Sequence, residues 1–328
     1  MAPLIKVDNA QGINMNKNGT LTDYLRIARF DHWIKQLFIL PGIVFAVALV
    51  KDLDFPSIPI RLVLGFISTC FIASANYIIN EWLDAEFDKY HPTKKLRPAV
   101  VSTLKAKYVY SMYVLFAAIG LIAAFFASWM VLYSELFLLA MGVVYNVKPL
   151  RSKEIPYVDV LSESLNNVIR LLIGWVIVTS DYWPPATIIF GFWMGGAFLM
   201  ATKRYAEYRM IGNKLTAALY RKSFAKYSEQ SLLVSAFFYA LCALFFTGVF
   251  MVKYRVEFLI TIPVLCTLFC YYLHISFKND SAAQKPEKLF REKSLMFLVF
   301  LFTLTAAIAM FVDIPWLETL LKTSFVGV

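Results

Sequence analysis

The sequence predicts an all-α, polytopic membrane protein with nine transmembrane helices. Of its 328 residues, 59% are hydrophobic and 16% are charged, whereas soluble domains have about 45–50% apolar and about 25% charged residues. A helix needs about 20 mostly apolar residues to cross a bilayer, and apolar stretches close to that length recur along the chain. These stretches lie at about 33–50, 61–83, 107–128, 131–147, 158–180, 185–206, 231–252, 256–276 and 294–312.

The two ends of the chain differ from this apolar middle. Residues 1–20 are polar and lack the apolar core of a signal peptide, so we expect a loose cytoplasmic tail there. The transmembrane domain is predicted at 21–313, and a C-terminal tail at 314–328. Separators that contain proline, such as Pro92 and Pro98 after the second apolar stretch, mark the breaks between helices.

The basic residues predict the orientation of the chain. If the N-terminus lies in the cytoplasm, 26 of the 32 Lys and Arg residues fall on the cytoplasmic side. This asymmetry follows the positive-inside rule, so we expect an N-in, C-out protein of the inner (plasma) membrane. The same rule accounts for the net charge of +10, so a nucleic-acid partner is not expected.

Three oxygen-bearing side chains share one face at the inner end of the second helix. Asn80, Asp84 and Asp88 are spaced at i, i+4 and i+8, which places them in one stripe. No basic residue shares that face, and hard oxygen ligands of this kind suit Mg²⁺. Glu81 lies beside the stripe. The alternative is a solvated helix end with ordinary surface acids.

A basic loop follows the stripe directly. Residues 91–98 contain Lys94, Lys95 and Arg97 between two prolines. Carboxylates that bind a metal, next to cations that bind phosphate oxygens, predict a diphosphate ligand. These basic residues could instead serve only topology, in contact with anionic lipid.

A second charged pole is predicted at the inner end of the sixth helix. Lys203, Arg204 and Glu207 lie there, and Arg221 and Lys222 continue the basic character in the next loop. Considered alone, Lys203 and Glu207 also fit a structural i,i+4 salt bridge at a membrane boundary.

The fifth helix carries a polar stripe that reaches deeper. Asp159, Glu163, Asn166 and Arg170 are spaced along one face. An unpaired Arg at that depth is costly, so we expect Glu163 or Asn166 to be its partner, and a structural pair and a ligand contact both stay open. Three further residues lie at inner helix ends where they could reach phosphate. They are Lys35, Tyr145 and Lys148.

Residues 80–88 resemble the first aspartate-rich motif of the UbiA superfamily of intramembrane prenyltransferases, usually Asn-Asp-x-x-Asp-x-x-x-Asp, with Glu81 in place of the common Asp. The second aspartate-rich motif is missing, and Lys203-Arg204-Tyr205-Ala206-Glu207 stands in its place. In this the chain resembles the branch of decaprenyl-phosphate phosphoribosyltransferases. The matching blocks are Arg29-x-x-x-Trp33-x-Lys35-Gln36 (with Gln36 for the usual Asn), Asp84-x-x-x-Asp88 with His91-Pro92-Thr93-Lys94-x-x-Arg97-Pro98, Asp159 with Arg170, Lys203-Arg204-x-Ala206-Glu207, and Arg221-Lys222-Ser223 with Tyr227.

The resemblance covers residues 25–230 and implies a UbiA-like bundle and a reaction. A polyprenyl phosphate would attack the anomeric carbon of 5-phosphoribosyl diphosphate (PRPP) with loss of pyrophosphate, at the cytoplasmic membrane face, with Mg²⁺ as cofactor. The implied catalytic and metal-binding residues are Asn80, Asp84 and Asp88. The implied substrate-binding residues are Lys35, Glu81, Lys94, Arg97, Tyr145, Lys148, Asp159, Arg170, Lys203, Arg204, Glu207, Arg221 and Lys222.

Two other functions compete with this one. A prenyltransferase that joins a polyprenyl diphosphate to an aromatic acceptor would need the missing acidic motif. A lipid or ion transporter would favour paired inverted repeats and charges near the bilayer midplane, whereas the charges here gather at the inner surface. The sequence leaves open the prenyl chain length, the pathway, the role of residues 231–328 and whether the protein forms homo-oligomers.

Overall fold

The computed structural model of the protein describes residues 17–278, 281–284, 289 and 291–321. Within these ranges, nine helical segments are long and apolar enough to cross a membrane, which confirms the predicted class and number. The segments are Leu21–Leu49, Phe55–Asp88, Ala106–Ala127, Trp129–Asn146, Val158–Val178, Ala186–Ile211, Glu229–Tyr254, Val256–Ser276 and Lys293–Phe311. Four residues of the charge count lie outside the described residues, namely Lys6, Lys285, Lys288 and Lys322.

The first membrane segment begins earlier than its apolar stretch predicts. It consists of helix α1 (Leu21–Ile27), a 3-10 segment (Phe30–Ile39) and helix α2 (Leu40–Leu49). Thr20 caps α1, because its hydroxyl accepts a hydrogen bond from the backbone N–H of Asp23 and its own N–H donates to the Asp23 carboxylate. Such a capping box fixes a helix start even where the first turn is polar.

Short strands join the start of the described chain to the loop after the second segment. Strand β1 (Lys17–Asn18) pairs in parallel with β2 (Ser102–Thr103). Two residues of the predicted tail are therefore attached to the bundle, and residues 1–16 lie outside the described residues. The domain limits at 20 and 313 stay a prediction.

The remaining helices follow in chain order. They are α3 (Ile58–Asp88), α4 (Pro98–Val101), α5 (Ala106–Ala127), α6 (Trp129–Asn146), α7 (Val158–Val178), α8 (Ala186–Ile211), α9 (Lys214–Tyr220), α10 (Glu229–Tyr254), α11 (Ile262–Ser276), α12 (Lys293–Phe311) and α13 (Pro315–Leu321). Short 3-10 turns lie at Phe55–Ser57, Lys94–Leu96, Ser152–Glu154, Lys222–Ala225, Val256–Thr261 and Ala282–Gln284.

Helix α3 is longer than a bilayer requires. Its 31 residues span about 46 Å at 1.5 Å per residue, against a hydrocarbon thickness of about 30 Å. The last turns of α3 can therefore extend past the hydrocarbon core, and these turns carry Asp84 and Asp88. The predicted N-in, C-out orientation depends on the charge count alone and stays a prediction.

Helix α7 lies at the centre of the bundle, in contact with α2, α3, α6 and α8. Two glycines let α2 and α7 approach closely. A Cβ atom added to Gly174 would lie 1.9 Å from the carbonyl oxygen of Ile39, and one added to Gly42 would lie 1.9 Å from that of Leu171. Lipid is as apolar as a side chain, so membrane helices gain little from hydrophobic burial against one another. Small residues at helix crossings let them gain close packing contacts instead.

We predict that Gly174→Ala lowers the thermal midpoint of the purified protein in detergent. The new methyl group collides with backbone, so the helices must separate at a cost of about 1–3 kcal/mol. Gly248→Ala is the matched control, since a Cβ added there meets nothing within 4 Å. Equal thermal midpoints for the two variants would contradict this account of the α2–α7 contact.

Candidate active site

One cavity of about 410 Å³ lies where the C-terminal ends of α3, α6 and α8 meet the start of α7. Twelve of the sixteen predicted site residues line it. They are Lys35, Asn80, Asp84, Asp88, Lys94, Arg97, Tyr145, Arg170, Lys203, Arg204, Arg221 and Lys222. The other four do not line it, namely Glu81, Lys148, Asp159 and Glu207.

The acidic stripe of α3 is paired with cations. Asp84 accepts hydrogen bonds from Asn80 Nδ2 at 3.2 Å, from Arg151 Nη2 at 3.0 Å and from the Lys153 ammonium. Asp88 forms an ion pair with Arg97. The α3 face itself lacks basic residues, as expected, but the segment between α6 and α7 brings two cations onto it. Both carboxylates are therefore already paired with cations and do not form an unpaired acidic site.

Arg151 and Lys153 are site residues that the sequence reasoning missed. Both line the cavity, with only 6% and 4% of their surfaces exposed. Lys153 also donates to Asn146 Oδ1 at 2.8 Å, and burial lowers the pKa of its ammonium group to about 8. In the sequence these residues count only as cytoplasmic positive charge, and no spacing rule distinguishes a buried cation from an exposed one. Lys148, which was predicted instead, is exposed.

The basic pole is centred on Arg204, which is 1% exposed. Its guanidinium contacts Glu207 Oε2 at 3.0 Å, Asp159 Oδ2 at 3.4 Å and the Glu163 carboxylate. Lys203 lies 3.2 Å from Glu163. Lys203 and Glu207 thus pair with other partners rather than with each other, so the intrahelical salt bridge considered from the sequence does not form.

Asp159 lies behind the cavity wall and is fully buried. It accepts hydrogen bonds from Arg221 at 3.1 Å and from the Tyr227 hydroxyl at 2.7 Å, in addition to its contact with Arg204. Arg221 also donates to the Tyr145 hydroxyl at 2.9 Å. Asp159 therefore contacts two arginines that line the cavity but does not line it itself, and its predicted substrate contact stays a prediction.

Glu207 and Glu81 have similar supporting positions. Glu207 accepts from Lys94 Nζ at 2.9 Å, and this contact joins the loop after α3 to α8. Burial lowers the pKa of the Lys94 ammonium group. Glu81 accepts from Arg29 Nε at 3.1 Å, and Arg29 lines the cavity. Both carboxylates lie outside the cavity lining and balance the charge of a cation that lines the cavity.

Arg170 lies at the deep end of the cavity. Its Nε donates to Gln36 Oε1 at 2.7 Å, and its Nη1 donates to the backbone carbonyl of Asn166 at 3.0 Å. Of the two expected partners, Asn166 contributes only its carbonyl, and Glu163 faces Lys203 and Arg204 instead. Gln36 could not be identified as the partner because it lies 134 residues away in the chain.

Asp84 and Asp88 fit a metal that is bound together with a phosphate ligand. Among the described residues, no group of three His, Cys, Asp or Glu side chains could hold an ion alone. Mg²⁺ needs only one or two carboxylates when substrate phosphates supply further oxygens. Asn80 donates through its Nδ2 to Asp84 and Asn146, which leaves its amide oxygen as a third ligand.

Comparison with known proteins identifies the family. The chain is 26% identical over 209 residues to the decaprenyl-phosphate phosphoribosyltransferase of Mycolicibacterium smegmatis, a match that covers 63% of each chain. It is 27% identical over 213 residues to the Corynebacterium glutamicum protein of that name, covering 63% of this chain and 60% of the relative. The matched region thus spans less than two thirds of either relative.

A solved structure supports the fold. A UbiA homolog from Archaeoglobus fulgidus, bound to GPP and Mg²⁺, superposes with a TM-score of 0.65 at 20% identity, covering 88% of this chain and 99% of the homolog. The predicted UbiA-like bundle is confirmed. Because residues 38–301 also match the UbiA prenyltransferase family, the chain belongs to that family.

Proposed function

We propose that the protein transfers the 5-phosphoribosyl group of PRPP to a polyprenyl phosphate and releases pyrophosphate, at the cytoplasmic face of the membrane. The observation that carries this proposal is the charge of the second pole. Lys203, Arg204 and Arg221 line the cavity at the inner end of the sixth membrane segment, where the family pattern has a second set of carboxylates. The relatives named decaprenyl-phosphate phosphoribosyltransferase support the same conclusion.

The two poles suit the two ends of the donor. PRPP carries a diphosphate on its anomeric carbon and a phosphate on C5. Arg97, beside Asp88, can donate to the diphosphate. Asp84 and Asp88 would hold Mg²⁺, which would supply neutralisation of the charge on the departing pyrophosphate. Lys203 and Arg204 can bind the 5-phosphate through charge-assisted hydrogen bonds.

The bond changes need no strong general base. An oxygen of the lipid phosphate forms a bond to the anomeric carbon, the bond from that carbon to the diphosphate oxygen breaks, and its electron pair leaves with pyrophosphate. A phosphate monoester is already anionic near neutral pH, because its second pKa is about 6. The protein therefore acts by orienting two anionic substrates and by stabilising the leaving group.

A direct assay tests the proposal. The purified protein, incubated with PRPP labelled in its ribose, a polyprenyl phosphate and Mg²⁺, should move the label into the lipid phase. Asp84→Asn and Asp88→Asn should each lower the rate by about 100-fold or more, because each removes a charge worth several kcal/mol to the leaving group.

The matched control is Asp313→Asn, which changes a carboxylate that is 81% exposed and pairs with Arg255, away from the cavity. It should have the rate of the unmodified protein. Near-normal rates for Asp84→Asn or Asp88→Asn would contradict the metal assignment, and no transfer of ribose label to lipid would contradict the proposed reaction.

The cavity-lining lysines of the loop after α3 and of the basic pole give a second prediction. Lys94→Ala and Lys203→Ala should each weaken PRPP binding by about 10- to 100-fold, because a hydrogen bond to a charged group contributes about 1.5–3 kcal/mol. Lys148→Ala should leave PRPP affinity unchanged, since Lys148 is exposed and outside the cavity lining. Titration of each variant with PRPP measures the difference. Equal affinities for all three variants would mean that these lysines serve topology only.

A further inference from the structure

We propose that Arg170 and Lys35 bind the phosphate of the acceptor lipid, at a deeper level of the cavity than the donor. This inference rests on the proposed function and divides one cavity between its two substrates. Arg170 follows Glu163 by seven residues on α7, which places it about 10 Å further along the helix axis. Both residues line the same cavity.

The charge of Arg170 is not balanced in the way that the charge of Arg204 is. Arg204 contacts three carboxylates. Arg170 donates to an amide oxygen of Gln36 and to the backbone carbonyl of Asn166, and no carboxylate in the described part of the chain pairs with it. A cation inside a membrane helix normally has a counter-charge or faces a polar path. An anionic ligand in the cavity would supply that counter-charge.

One buried carboxyl group, that of Glu135, interacts electrostatically with Arg170 but forms no ion pair with it among the described residues. Glu135 is fully buried on α6, and its Oε1 accepts from the Thr69 hydroxyl at 2.5 Å. It does not line the cavity. Glu135 therefore acts on Arg170 from outside the cavity lining, and Arg170 is the member of this couple that lines the cavity.

Lys35 brings a second cation to the same level. It lies on the 3-10 segment Phe30–Ile39, which packs against α7. The next residue, Gln36, accepts a hydrogen bond from Arg170. The 3-10 segment that carries Lys35 is thus joined directly to helix α7, which carries Arg170. Lys35 Nζ lies 3.1 Å from His32 Nε2, and both residues line the cavity.

Apolar residues line the cavity on the deep side of the charged poles. They are Phe38, Ala73, Leu138, Leu199 and Met200. Leu199 precedes Lys203 by one helical turn, and Ala73 precedes Asp84 by eleven residues, or about 16 Å of helix. A volume of about 410 Å³ is typical of a small-molecule site, so a long isoprenoid chain must continue into the bilayer. Its phosphate would then lie where the apolar lining meets the first cations, which are Arg170 and Lys35.

This arrangement separates the routes of the substrates. The lipid enters from the apolar side, and PRPP enters from the charged mouth, where pyrophosphate also leaves. The acceptor phosphate then approaches the anomeric carbon from the deep side, while the leaving group faces Asp88 and Arg97 near the mouth.

Binding measurements on the full chain in detergent test the assignment without turnover. Farnesyl phosphate serves as the short acceptor probe and PRPP as the donor probe. Arg170→Gln should weaken farnesyl phosphate binding by about tenfold or more and change PRPP affinity less than twofold. Lys203→Gln, the matched control at the donor level, should show the opposite pattern.

Two further probes identify the group that is recognised. Farnesol should bind Arg170→Gln and the unmodified protein equally, because it lacks the phosphate. Inorganic phosphate should bind more weakly than farnesyl phosphate, because it lacks the chain. Lys35→Gln should likewise weaken farnesyl phosphate binding and leave PRPP affinity nearly unchanged. If Arg170→Gln does not fold, the Lys35→Gln variant tests the same assignment.

The outcomes separate this inference from the proposed function. If Arg170→Gln and Lys35→Gln weaken PRPP as much as farnesyl phosphate, the donor occupies the deep level and the inference is wrong, while the proposed reaction stands. If both variants weaken farnesyl phosphate alone but the unmodified protein binds no PRPP, the acceptor site stands and the proposed reaction fails.

Discussion

The arrangement of the site depends on one buried guanidinium. Arg204 joins Asp159 and Glu163 of α7 to Glu207 of its own helix, and all of these contacts lie inside the protein. Bringing such charges out of water costs several kcal/mol for each ion, and only good geometry with further hydrogen bonds offsets that cost. Removing Arg204 would leave each of the three carboxylates with one cation fewer, since Asp159 would keep Arg221, Glu163 would keep Lys203 and Glu207 would keep Lys94. The cluster thus joins α7 to α8 at the wall of the cavity.

The same cluster explains why the chain departs from the family pattern without losing its fold. The carboxylates at this pole are consumed by internal cations, so they are not available to hold a second metal. Of this cluster, three cations and one carboxylate line the cavity, namely Lys203, Arg204, Arg221 and Glu163. In the proposed reaction, the cations of this pole would bind a phosphate group directly, whereas a pole of carboxylates would bind it through metal ions. The proposed exchange would then change which substrate carries the leaving group, while the bundle stays the same.

Much of the fold could be predicted because a membrane helix must form its backbone hydrogen bonds internally and must be apolar along its length. Hydropathy thus finds the nine segments seen in the described part of the chain, and the i,i+4 spacing finds the stripe of Asp84 and Asp88. Contacts between distant segments could not be predicted. The link between Gln36 and Arg170 spans 134 residues, and the link between Lys153 and Asp84 spans 69.

The differences between the expected and the observed positions of single residues have the same origin. Lys148 and Lys153 belong to one short basic loop, and only the packing of that loop against α3 buries Lys153 and leaves Lys148 exposed. Asp159 has the residue type and position of a ligand, yet Arg221 and Tyr227 close around it from a loop that follows α9. Sequence spacing reports which residues share a helix face, but it does not report what the rest of the chain places against that face.

We propose that the basic pole makes the sugar, and not the lipid, carry the leaving group. The most direct measurement follows phosphorus label placed in the phosphate of the acceptor lipid, with unlabelled PRPP and Mg²⁺. We expect the label to stay in the lipid product, because the bond between the prenyl carbon and its phosphate oxygen is not broken. Release of the label as free phosphate or pyrophosphate would show that the lipid is ionised, and it would favour a prenyltransferase acting on an aromatic acceptor instead.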